Sequence, residues 1–205
     1  MRNKITAVCS ITTYEAYASE IYQTLCLTKP IANGVELATR IGIECVPYST
    51  DSQKAKILKS YNQNYFYDEE KRIIYFDDDM LTSHQMNVDM LIEILVDYIY
   101  KLKRKRMRKH IAHYLSLYML CPIQLINKLG LDKETLINVF GFDEENAGAL
   151  LQHKRVDTQT YDQQMLECLK DYINHYNLTW LYAIKKGRIA SALWDTVTYP
   201  VASLL

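Results

Sequence analysis

Every convincing strand signal in this chain lies before residue 77, and two of them form a hairpin. The stretch "NYFYDEEKRIIYFDDD", residues 64–79, holds two aromatic or β-branched runs, 64–67 and 72–76. They flank the polar "DEEK", which reads as an antiparallel hairpin with a four-residue loop. "IECVPY", 43–48, is a further short strand candidate. From Leu81 onward apolar residues recur at helical spacing and no strand is visible. These signals predict an α+β fold that is predominantly helical, with a small antiparallel sheet near the N-terminal third.

The helices punctuate themselves. "TTYEAYASEIYQTLCL" sets Tyr14, Tyr17, Ile21 and Leu25 at helical spacing and opens with a Thr12–Glu15 capping-box pattern. "PIANGVELATRIGI" predicts a helix that starts at Pro30 and stops near Gly42. "AKILKSYNQ" is ambiguous. "TSHQMNVDMLIEILVDYIYKL" is one long helix, with 91–102 expected to be buried and central, and Asp77, Asp78 and Asp79 expected to cap it. "RKHIAHYLSLYMLCP" is the next helix, closed by Pro122. Short helices follow, broken at Gly130 and Gly141, and the tail is helical again. The polar "KRVDTQTYD", 154–162, is the one plausible module boundary.

Composition narrows the function classes. The chain has 205 residues, enough for one domain with a C-terminal extension. Lys+Arg and Asp+Glu are 24 each, so net charge gives no pull towards nucleic acid or anionic membrane. No apolar run reaches the roughly 18 residues of a membrane span, and the N-terminus makes a poor signal peptide. Cys9, Cys26, Cys45, Cys121 and Cys168 form no CxxC pair, which fits buried free thiols in a reducing cytoplasm better than disulfides or a cysteine-zinc site. Nucleotide-binding and nucleophile-elbow glycine motifs are missing from the sequence.

"MLIEILVDYIY", 90–100, has the length, apolar period and central glutamate of a zinc-protease helix but carries no histidine. Around it stand Gly42-Ile43-Glu44-Cys45-Val46, the strand at 73–77, Ala112-His113-Tyr114-Leu115, Met119-Leu120-Cys121-Pro122, and 136–142 with 147–151. In order and spacing this resembles the ImmA/IrrE family of bacterial metallopeptidases over residues 10–156. The resemblance implies a zincin-like central helix, domain limits at 1–156, and a helical extension over 157–205. Zinc chemistry there needs two imidazoles at i and i+4 with a glutamate beside them. With Glu93 on the family's glutamate, the histidine positions hold Ile92 and Val96. One residue later, they hold Glu93 and Asp97. The third, acidic ligand would come from 106–111, which has no carboxylate. The resemblance therefore implies a pseudo-metallopeptidase, with no metal, no cofactor and no catalysis, whose ligand positions have become core residues.

Local charge supplies the other candidates. Asp89, Glu93 and Asp97 recur at i, i+4 and i+8, which reads as a solvated stripe, a stripe answered by nearby cations, or a cation or proton-handling site. "KLKRKRMRKH", 101–110, holds Lys101, Lys103, Arg104, Lys105, Arg106, Arg108 and Lys109. It is either an exposed inter-helix turn or a partner-binding rim. His110 and His113 have metal spacing, but the cations upstream repel a divalent ion. Asp143, Glu144 and Glu145 disfavour reading the following helix as a DNA-recognition helix. Trp180 and Trp194, with Leu181, Ile184, Ile189 and Leu193, either pack internally or offer a dimer surface.

The expectation is a regulatory protein-binding module in a bacterial cytoplasm. Its expected partner is a helix-turn-helix regulator of a mobile element or stress response. It would bind with the cleft over 91–100 and the basic rim. A nucleic-acid-binding regulator acting through 101–110 is the alternative.

Overall fold

A computed structural model describes residues 13–50, 53–61, 63–104, 106–152 and 159–175. It is mostly helical, with one three-stranded sheet close to the N-terminal third. Helix α1 (Thr13–Thr24) and α2 (Gly34–Arg40) precede β1 (Glu44–Pro47); α3 (Gln53–Ser60) precedes β2 (Tyr65–Asp68) and β3 (Ile73–Phe76). A 3-10 turn (Asp78–Met80) leads to α4 (His84–Lys103), then α5 (Lys109–Leu120) and α6 (Ile123–Leu129). Helices α7 (Lys133–Phe140), α8 (Glu144–Gln152) and α9 (Gln159–Cys168) follow. Among the described residues no strand occurs after Phe76.

The hairpin forms as the sequence suggests, one residue further along: Asp68 faces Ile73 and the loop holds 69–72. Asp68 accepts from the Lys71 N–H at 3.2 Å and closes that loop. The wholly antiparallel sheet is corrected. The order is β1-β3-β2, and β1 runs parallel to β3. A parallel pair needs a crossover, and the ambiguous "AKILKSYNQ" supplies it as part of α3. Alternation along the strands then builds two cores. Ile74 and Phe76 face the main core, with Cys45, Tyr65 and Tyr67 at its edge. Tyr75 and Tyr48 face Ala55 of α3 in a smaller core, beside Val46, Phe66 and Ile73.

The glycine stop signals hold, and two of the start signals shift. Gly42, Gly130 and Gly141 take positive φ at the ends of α2, α6 and α7. The start of α2 is corrected from Pro30 to Gly34, because Asn33 accepts from the Glu36 N–H at 2.9 Å and caps it. The cap of α4 is likewise Ser83; Asp77 caps the 3-10 turn. Thr12 lies outside the described residues.

Helix α4 is the centre of the main core. Met86, Val88, Met90, Leu91, Ile94, Leu95 and Ile99 are buried, and a fully buried side chain of this kind stabilises by about 1.5–3 kcal/mol. Burial does not extend to the helix end: Tyr100 is 41% and Leu102 46% exposed, which corrects the expected span of 91–102. Beyond the boundary expected near 156, α9 and the turn of helix after it add Met165, Leu169 and Ile173 to the same core. Tyr118 donates to Gln124, and Gln124 donates to Asp162 at 2.8 Å, so a polar chain links α5, α6 and α9. The tryptophan-bearing tail lies outside the described residues.

Candidate functional site

The sequence-predicted positions gather where β2 crosses α4. Tyr65 and Tyr67 are two apart on one strand, so both face the helix. The Tyr67 hydroxyl donates to Asp97 Oδ2 at 2.9 Å, and Lys101 Nζ reaches the same oxygen at 2.7 Å. Tyr65 donates to Glu93, and Gln85 Nε2 donates to Asp89 Oδ1 at 2.9 Å. The acidic row is thus not a uniformly solvated stripe. Asp97 is only 5% exposed, and its charge is answered by the first cation of the basic run. Its Oδ1 is buried with no hydrogen-bond partner among the described residues.

Electrostatics follow this packing. Glu93 is exposed over its side chain as a whole, yet its carboxyl meets Tyr65. Burial first, and the Asp89 charge with it, raises the Glu93 carboxyl above its ordinary range; Tyr65 and Lys109 pull the other way. Burial and the facing carboxylates Glu93 and Asp89 push the Tyr65 phenol well up, and burial and Asp97 do the same to Tyr67. Both phenols therefore act as hydrogen-bond donors.

In the register that takes Ile92 and Val96, the zinc-helix positions do not become full core residues, which corrects that expectation; in the other, Asp97 is buried and Glu93 is not. Ile92 and Val96 are half-buried. Lys109, at the start of α5, acts electrostatically on Glu93. Among the described residues no group of three or more His, Cys, Asp or Glu is placed to hold a metal ion. Not all of 91–100 is available to a partner. Leu91, Ile94, Leu95 and Ile99 are wholly buried and cannot line an open groove; Ile92, Glu93, Val96 and Tyr100 keep exposed surface.

The basic run divides into two parts. Lys101 is spent on Asp97, and Lys103 pairs with Glu20 and lies 5.6 Å from the Tyr17 ring centroid. Arg104 caps α4 at φ 55°, and with Arg106, Arg108 and Lys109 it is exposed. Among the described residues these four form no ion pair. Lys105 lies outside the described residues.

Sequence reasoning missed Tyr65, Tyr67 and Glu20. The alternation in "YFY" was a usable signal for the two tyrosines; nothing local marks Glu20 as the partner of Lys103. No family model, curated protein or solved structure matches the chain. Among the described residues no helix is long and apolar enough to cross a membrane.

Proposed function

We propose that this chain is a non-catalytic regulatory binding module of the bacterial cytoplasm that engages another protein. One observation carries the reading. At the end of α4, Tyr100 and Leu102 are exposed beside Arg104, Arg106, Arg108 and Lys109, four cations without ion pairs among the described residues. Exposed apolar side chains supply contact area, and uncommitted cations steer an acidic partner. The helix-turn-helix identity of that partner, in a mobile element or stress response, rests on the resemblance to ImmA/IrrE, whose zinc-bearing members act on such repressors.

On this reading the chain is a pseudo-metallopeptidase. Ile92 and Val96 offer zinc no lone pair, and the Lys109 charge beside Glu93 repels a cation. The same four cations favour a second reading, a nucleic-acid-binding regulator.

Titration of the purified chain with the helix-turn-helix regulator encoded nearest its gene, and separately with random-sequence duplex DNA, separates the two. Saturable regulator binding without DNA affinity supports the module. DNA affinity that falls steeply with salt, without regulator binding, replaces it with the second reading.

A further inference from the structure

His84 opens α4, and its ring lies 4.5 Å, centroid to centroid, from Phe142. Its Nε2 is buried and has no hydrogen-bond partner among the described residues. Phe142 is itself buried and belongs to the connection between α7 and α8. Its N–H donates to Leu136 O at 3.1 Å, closing α7. The next residue, Asp143, starts α8 by accepting from the Asn146 N–H at 2.7 Å. The His84–Phe142 contact therefore clasps the α7–α8 pair to the first turn of α4.

A proton on His84 works against this contact. The imidazole's affinity for a proton is lowered, chiefly by burial. Two titratable groups on neighbouring elements act on the ring. Asp143, before α8, favours the cation, and His113 of α5 disfavours it. The first turn of α4 disfavours it further, since a helix N-terminus carries partial positive charge. Asp143 opposes these effects without reversing the net fall. Both its oxygens are engaged by Asn146, at 2.7 Å from the backbone N–H and 2.9 Å from the side-chain amide.

We propose that His84 is an acid-operated clasp: neutral, it stacks on Phe142; protonated, it leaves that contact and loosens the α7–α8 pair from α4. Loosening exposes an imidazole that was buried, so the released state takes up the proton and acid drives the opening. This inference is independent of the partner reading.

The test uses the full chain, with the His84 imidazole followed by NMR and amide protection measured from about pH 7 to about pH 5, across the ordinary imidazole pKa. The ring should titrate below its ordinary value. Protection at the Phe142 and Ala147 amides should fall in step, by up to about tenfold for each pH unit, while Leu95 in mid-α4 holds. His84→Phe keeps a ring on Phe142 and cannot titrate, so its protection should not fall with acid. Asp143→Asn keeps the cap and removes the charge that favours the imidazolium in the clasped state, so the His84 ring should titrate lower still and the acid fall in protection should deepen. Equal pH profiles for the wild type and His84→Phe, a shallower acid fall in Asp143→Asn than in the wild type, or titration of His84 at or above its ordinary value would overturn the proposal.

Discussion

The Tyr67 hydroxyl meets Asp97 Oδ2 at 2.9 Å, and this bond fastens β2 to the middle of α4. Asp97 is nearly fully buried and leaves Oδ1 without a partner among the described residues, so what holds Oδ2 keeps a charge tolerable in the core. Tyr67→Phe should cost about 1.5–3 kcal/mol, the range for a hydrogen bond to a charged group. Urea unfolding measures it. In a double-mutant cycle with Asp97→Ala the two losses should not add, because each change removes the same bond. Strict additivity would mean the contact contributes nothing.

Gly34 lets α2 lie directly on α4. A Cβ built there would stand 2.6 Å from Met90 Sδ and 3.1 Å from Met90 Cβ. The Gly34 N–H also donates to buried Asn87 Oδ1 at 3.1 Å, which keeps the two helices from sliding apart. Gly34→Ala should therefore destabilise by about 1–3 kcal/mol through overpacking. Adding Met90→Ala should cost less in the Gly34→Ala background than in the wild type. A thermal shift series on the four proteins decides it.

Glu93 gives a pH-dependent contribution whose direction is fixed by its raised carboxyl. The folded chain holds the Glu93 proton more tightly than the unfolded chain does. The stability from this group is thus fully present below the unfolded value, about 4.3, and is lost as pH rises through the folded value. Glu93→Gln should unfold at higher urea than the wild type at neutral pH, with the advantage gone in acid. The gain should be small, since the side chain is exposed and screened by solvent. A wild type more stable than the variant at neutral pH would show that the Tyr65 bond outweighs the burial of the carboxyl.

How far the sequence carried this structure depends on the range of the interaction. The hairpin, the stops at Gly130 and Gly141 and the α4 period are local, and each appears within a residue of where the sequence places it. The parallel β1–β3 pair is not local: Glu44 faces Ile73 across a crossover whose helix had no clear period. The surroundings of the candidate site were hidden for the same reason. The i, i+4, i+8 row placed Asp97 on a face with Glu93, but burial of that face is set by tyrosines on a strand some thirty residues earlier. Lys101 and Lys103 read as rim charges because nothing near them in sequence shows that Asp97 is buried or that Glu20 lies opposite.

On the pseudo-metallopeptidase reading, placing histidines on α4 should not create a zinc enzyme. Ile92→His with Val96→His places two imidazoles on one face of α4, at half-buried positions that accept polar side chains at modest cost. Lys109 still faces Glu93, and no carboxylate follows from 106 to 111 to supply a third ligand. The double variant should bind zinc weakly at most and cleave no repressor. Metal analysis after dialysis and a cleavage assay check both halves. Stoichiometric zinc with cleavage would mean that a ligand comes from elsewhere in the fold.

The basic run should behave as two groups under charge reversal. Arg104, Arg106, Arg108 and Lys109 are exposed and without ion pairs among the described residues, so their replacement by Glu should change stability by no more than about 0.5 kcal/mol per site. Lys101 and Lys103 differ. Lys101→Glu sets a carboxylate against buried Asp97 and leaves it only the Tyr67 hydroxyl, so it should cost the most of the six. Lys103→Glu meets Glu20 and loses the Tyr17 ring, at smaller cost because both charges are partly exposed. Stability measurements on single variants should therefore rank Lys101→Glu worst, Lys103→Glu next and the other four together near the wild type. If the rim steers an acidic partner, the quadruple Arg104, Arg106, Arg108 and Lys109 reversal should slow association by at least about tenfold at low salt. It should also invert the salt dependence, with dissociation little changed. Stopped-flow association at two salt concentrations reads this directly. A reversed protein that stays folded and associates at the wild-type rate would show that these cations face only water, and the partner-binding reading would lose the observation on which it stands.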